Sequence, residues 1–193
     1  MRFYGFCRTI IRPICFLLFP RKVYGAENLP KDGSIIVCAN HISFVDPVFL
    51  GLEFKQPLHF IAKKEACQTP VLGPFIRALG AFPVDREGKD LKAIRTCMSV
   101  LKEGKTLGIF PEGTRIIHGK TSEAKAGISL IAKRSKATLV MVHIKPKRGR
   151  VRPFSKTEVY FSAPISYETL CGDMEYIDAS KKILDTIYSL GEP

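Results

Sequence analysis

The run Ser34-Ile35-Ile36-Val37-Cys38 follows Gly33 and shows no alternation of polar and apolar residues. Such a run reads as a buried strand. It commits the chain to a sheet whose middle is covered. Directly after it come Asn40-His41-Ile42-Ser43-Phe44-Val45-Asp46-Pro47. A histidine and a carboxylate therefore lie just past a strand end, which is where open α/β sheets place ligands and chemistry. Asp46-Pro47 suits a helix start, with Asp46 as N-cap and Pro47 at the first helical position. A tight strand-to-helix connection would fold the carboxylate back onto the imidazole. A histidine held in this way has a fixed tautomer and can act as a general base. A plainer use of the same residues is a cap made by Asp46 and a loop carbonyl satisfied by His41.

The rest of the chain alternates in kind. Residues 21–32 read as a connection broken by Gly25, Pro30 and Asp32. Strands are predicted over 57–62, 81–84, 106–110, 138–144 and 158–161. Helices are predicted from Pro47, over 70–79, from Leu91 to Leu101, over 123–135 and over 174–190. Alternating strands and helices argue for an α/β domain. The length of 193 residues fits one such domain.

Residues 1–19 stand apart. On a helical wheel Arg2, Gly5, Arg8, Thr9 and Arg12 gather on one side, and Phe3, Phe6, Cys7, Ile10, Ile11, Ile14, Leu17 and Leu18 on the other. The longest uncharged run, Pro13 to Pro20, is far short of the ~20 residues a membrane span needs. The pattern predicts a helix lying in a membrane interface, its arginines toward anionic headgroups. The alternative is a helix docked on the protein's own core. A division follows: residues 1–23 as a membrane-association helix and 24–193 as the main domain. The net charge of +12 calls for an anionic partner: nucleic acid, a membrane surface or a phosphorylated substrate. The six cysteines form no CxxC pair, so they read as free thiols with no zinc site.

Three polar clusters follow apolar runs: Asn40 to Asp46, Asp85-Arg86, and Glu112-Gly113-Thr114-Arg115. In one sheet they would converge at one edge, and their arginines suit phosphate oxygens. The stretch from Gly113 to Thr121 imitates a phosphate-binding loop, but five residues separate its glycines where that loop has four. The basic run Lys145 to Arg152 has the charge for nucleic acid but lacks interleaved aromatics, which argues against a single-strand platform; a loop between two strands equally suits anionic lipid, and the plainer reading is a solvated surface. No G-x-S-x-G elbow is present; a thiol nucleophile stays open at this point.

Asn40-His41-x-x-x-x-Asp46 together with Phe110-Pro111-Glu112-Gly113-Thr114-Arg115 resembles the glycerolipid acyltransferase family, nearest to its lysophosphatidic acid branch. Lys64-Glu65, Pro70, Gly73, Gly80, Arg86, Lys125, Gly127 and Pro164-Ile165 match further family positions, so the likeness spans about residues 24–166. One departure is Met141, where the family usually has a proline; it bears on selectivity rather than chemistry. The resemblance implies a mixed, largely parallel sheet flanked by helices. It also implies transfer of a fatty acyl group from a thioester to the sn-2 hydroxyl of 1-acyl-sn-glycerol-3-phosphate. His41 would be the base and Asp46 its holder, with direct attack and no acyl-enzyme. Glu112, Gly113, Thr114 and Arg115 would bind the acceptor, with Arg86, Asn40 and Lys64 as further contacts. No metal or cofactor is implied. Acyl-CoA or acyl carrier protein is the co-substrate, lysophosphatidic acid and anionic membrane lipids are the partners, and the cytoplasmic membrane face is the location. The competing readings are another lysolipid acceptor, or a non-catalytic basic protein that binds anionic lipid or nucleic acid.

Overall fold

The computed structural model describes residues 2–70, 72–78, 80–84, 91–116 and 124–192. Seven strands form one sheet: β1 (Arg21–Tyr24), β2 (Ile35–Ala39), β3 (Leu58–Lys63), β4 (Phe82–Val84), β5 (Thr106–Ile109), β6 (Thr138–Pro146) and β7 (Thr157–Phe161). Their spatial order is β1-β7-β6-β2-β5-β3-β4. Every neighbouring pair is parallel except β6 and β7, so the sheet is mixed and largely parallel, as expected. The helices are α1 (Arg2–Leu18), α2 (Asp46–Glu53), α3 (Lys64–Gln68), α4 (Leu72–Ala78), α5 (Leu91–Lys102), α6 (Gly127–Ser135), α7 (Tyr167–Cys171) and α8 (Tyr176–Ser189).

The apolar run of β2 is fully buried because both of its faces are covered. Ile36 and Cys38 point into a core shared with α5, α6, α7 and α8. Ile35, Val37 and Ala39 point to the other side, against α2 and Cys15 of α1. The alternation of side chains across a strand produces this division. It also creates the crevice. After β2 the chain leaves through α2 on one face; after β5 it leaves through α6 on the other. Adjacent parallel strands whose connections part to opposite faces open a cleft at their carboxyl ends. The register pairs Cys38 with Ile109, and three residues beyond each stand His41 and Glu112.

Several expectations shift in detail. Residues 21–24, read as part of a connection, form the edge strand β1, paired with β7. Helix α7 has a serine N-cap, Ser166, whose side chain accepts from the Thr169 amide. Asp46 is not the N-cap of α2: Val45 holds that place and Asp46 opens the first turn. The expected helix over 123–135 is described from Gly127 onward, and Glu123 lies outside the described residues.

Helix α1 has three faces. Tyr4, Cys7 and Cys15 are buried against the domain. Tyr4 Oη donates to the Gly51 carbonyl at 2.6 Å, and Arg8 Nε to the Leu52 carbonyl at 2.9 Å. Arg8, expected to point toward anionic headgroups, is thus turned toward α2. Phe6, Ile10, Ile14 and Leu17 remain exposed along another side. Docking and an exposed apolar face therefore coexist. At the helix end Arg21 pairs with Glu53 at 3.1 Å, its side chain almost wholly buried, and ties the α1–β1 corner to α2.

Gly108 of β5 lies under the ring of Phe60, and a Cβ there would run into that ring. Phe60 stacks on Phe110, 5.5 Å between centroids, and Phe110 stacks on His41 at 4.0 Å. Gly108→Ala should therefore destabilise the domain by about 1–3 kcal/mol through overpacking and also lower turnover. Thermal denaturation and activity assays check this, and adding Phe60→Leu should recover part of the lost stability.

Candidate active site

Asp46 is fully buried, and one of its oxygens organises the loop. Oδ2 accepts hydrogen bonds from the amides of Ile42 and Ser43, both at 2.7 Å, and from His41 Nδ1 at 2.9 Å. The carboxylate thus folds the chain back on itself, as in an Asx-type turn. With Nδ1–H donating to Asp46, the lone pair of the imidazole lies on Nε2. The ring is fixed from one side by its stacking on Phe110. It is a mostly buried side chain, 17% exposed.

The backbone of His41 is held at both ends. Its amide donates to Glu112 Oε2 at 2.6 Å, and its carbonyl accepts from the Ile116 amide at 2.7 Å. Glu112 is itself buried, and Tyr188 Oη donates to its other oxygen at 2.5 Å. Burial pushes the Glu112 carboxyl above the usual carboxylate range, while the Tyr188 hydroxyl and the His41 amide pull it back down. Gly113 takes a positive φ of 67°, and a Cβ there would press on the Lys125 side chain. Lys125 in turn donates its amide to the Pro111 carbonyl, which closes the loop.

The site residues foreseen from sequence fall into separate groups. His41, Asp46, Glu112, Gly113 and Arg115 come together at the ends of β2 and β5. The Arg115 guanidinium lies 3.4 Å over the Phe44 ring. Both border a cleft of about 210 Å³ with Ile42, Ser43, Ile116 and the backbone turn from Gly149 to Val151. Thr114 is exposed beside them. Asn40, expected to contact substrate, is buried, and both ends of its amide bind the Ile144 backbone at 2.7 and 2.9 Å. It locks β2 to β6 and has its polar atoms directed away from the cleft. Lys64 opens α3 at the end of β3, exposed. Arg86 lies outside the described residues.

The six cysteines are free and buried. Burial pushes the thiols of Cys15, Cys38, Cys67, Cys97 and Cys171 up, that of Cys97 to about 12. Such groups are poor thiolates and do not suit a nucleophilic role. At Met141 the amide donates to Ser162 Oγ at 2.9 Å, a bond that the family's proline could not make.

Comparison with known proteins follows the same lines. The acyltransferase family profile matches residues 20–145, more than half of the chain. The chain belongs to the acyltransferase family. A 1-acyl-sn-glycerol-3-phosphate acyltransferase of Bacillus subtilis (strain 168) is 40% identical over 141 residues, which are 71% of this chain and 68% of the relative. One from Borreliella burgdorferi is 32% identical over 126 residues, 62% of this chain and 49% of that relative. The crystal structure of the 1-acyl-sn-glycerophosphate acyltransferase PlsC from Thermotoga maritima matches with a TM-score of 0.71 at 26% identity. The match covers 97% of this chain and 76% of that one.

Tyr188 lies in α8, beyond the profile match. Its acidic partner is 76 residues away in sequence, so no local pattern reveals the pair. Its hydroxyl is one of the groups that pull the Glu112 carboxyl back down against the rise that burial causes. Without it, Glu112 takes up its proton at higher pH. Tyr188→Phe is therefore expected to lower kcat about tenfold, to move the acid limb of the kcat profile upward in pH, and to leave the acceptor KM within about twofold. A pH–rate series on both proteins measures this.

Proposed function

We propose that this acyltransferase moves a fatty acyl group from an acyl thioester to the sn-2 hydroxyl of 1-acyl-sn-glycerol-3-phosphate, giving phosphatidic acid. The observation that carries the reading is the His41–Asp46 pair, which flanks in sequence the residues Ile42, Ser43 and Phe44 that line a cleft with Arg115. The printed names of the relatives support the acceptor.

In this reading His41 Nε2 takes the proton of the acceptor hydroxyl, and Asp46 stabilises the imidazolium that forms. The acceptor oxygen attacks the thioester carbonyl and gives a tetrahedral oxyanion. Its collapse breaks the carbon–sulfur bond, and the imidazolium returns its proton to the departing sulfur. Atoms and charge balance without an acyl-enzyme. Arg115 receives the acceptor phosphate, its guanidinium oriented by the Phe44 ring. Glu112 and Gly113 shape the loop that aims it. Coenzyme A and acyl carrier protein are both anionic donors that suit a chain of net charge +12.

The substrates are lipids, and α1 offers a place to meet them. Among the described residues no helix is long and apolar enough to cross a membrane. The exposed row Phe6, Ile10, Ile14 and Leu17, with Arg12 on the adjoining side, fits a helix lying in the interface of an anionic membrane. The cytoplasmic leaflet is the proposed side, where both donors are found.

Thiol release from an acyl thioester, with and without 1-acylglycerol-3-phosphate, tests the assignment. Acceptor-dependent release is expected from the intact protein, and His41→Ala should cut it about 10²–10⁴-fold without changing thermal stability by more than a few degrees. Release that needs a different lysolipid would change the acceptor. Release retained in His41→Ala would remove the base.

A further inference from the structure

The connection between β6 and β7, residues 147–156, carries Lys147, Arg148, Arg150, Arg152 and Lys156 and no acidic residue. It is nonetheless an ordered piece of the fold. The Lys147 amide donates to the Lys156 carbonyl, Gly149 to Pro146, and Ser155 to Arg152. Val151 packs on the core beneath α1 and α2. In the midst of these cations Phe154 is 74% exposed, and it holds a left-handed backbone with φ of 60°. That conformation is unfavourable for a bulky L-residue. The aromatic side chain is thus exposed on a strained backbone, among residues that are cationic in sequence.

Its backbone position gives the role. The Phe154 amide donates to the Leu18 carbonyl at 2.6 Å and satisfies an acceptor in the last turn of α1. Phe154 therefore stands at the C-terminal end of the helix whose exposed apolar row ends in Leu17. The same connection lends Gly149, Arg150 and Val151 to the wall of the cleft that holds Arg115. It joins the helix to the site.

We propose that the β6–β7 connection is a second membrane contact, in which Phe154 enters the interface of an anionic phospholipid bilayer and the flanking cations engage headgroup phosphates. Charge decides the occupant: a connection with five cationic residues and no acidic residue in its sequence suits a surface of phosphates better than a second copy of a chain of net charge +12. With α1 and Phe154 both at the surface, the connection that lines the cleft through Gly149, Arg150 and Val151 lies at the leaflet, and a lysolipid reaches Arg115 without leaving it. The inference rests on the reading of α1 as an interfacial helix.

The chain contains no tryptophan, so one introduced indole reports alone. Three single variants of the full chain, Phe154→Trp, Ile14→Trp and Ile177→Trp, would be mixed with vesicles of phosphatidylcholine and phosphatidylglycerol brominated in the acyl chains. Ile177 is exposed on α8, across the sheet from α1. The expected result is blue-shifted, bromine-quenched emission from the first two and unchanged emission from the third. Phe154→Ser should weaken vesicle binding about tenfold and leave turnover of a detergent-dispersed acceptor unchanged. Quenching of Ile14→Trp with aqueous emission from Phe154→Trp would overturn the second contact and leave α1 standing. Silence from all three would remove the α1 reading as well. Quenching of all three would mean unoriented binding, and a blue shift of Phe154→Trp before vesicles are added would mean a second copy covers it; either overturns the proposal.

Discussion

Three hydrogen bonds into one buried oxygen, Asp46 Oδ2, hold the site together. Two come from backbone amides and fix the path of the chain; the third comes from His41 and fixes the ring. Hydrogen bonds to an ionised acceptor are the strong kind, and here they also repay the burial of the charge. Among the described residues Asp46 Oδ1 is buried without a hydrogen-bond partner, so the hydrogen bonds described for the group pass through the one oxygen that faces His41. The remaining supports act around this point. Phe110 backs the ring, Glu112 and Ile116 hold the backbone, and Asn40 pins the preceding residue to β6.

These supports converge because β2 is central. Its neighbours β5 and β6 each lend a residue or a backbone group to the site, and the connection after β5 leaves the sheet on the face opposite to that of α2. Helix α8 reaches the same point from the C-terminal end of the chain, through Tyr188. Near it, His143 of β6 bonds the Leu190 carbonyl at 2.7 Å and packs edge-on against Tyr188. The end of the chain is thus fastened to the site at two places.

Much of this was legible in the sequence because its causes are local or periodic. The apolar run of β2 and the short return from His41 to Asp46 need only strand burial and turn chemistry. The meeting of His41 with Glu112 follows from two parallel strands in register. What escaped reading depends on distant partners. Strand β1 exists through β7, more than 130 residues later, and its four residues carry no alternation strong enough to announce it. Asn40 is a substrate contact only by the family resemblance; the fold shows both ends of its amide taken up by the Ile144 backbone of β6. Arg8 read as headgroup-facing on a wheel that could not know where α2 would lie. Arg86 falls outside the described residues, and the structure adds nothing to its place.

The account's central claim is that Asp46 sets the tautomer of His41 and leaves Nε2 free to take a proton. The ring nitrogen chemical shifts of His41, recorded by nitrogen-15 NMR at neutral pH, test it most directly. The geometry predicts a protonated Nδ1 and an unprotonated Nε2. An unprotonated Nδ1 with the proton on Nε2 would contradict it, because the lone pair would then point at a carboxylate and the base would face the wrong way.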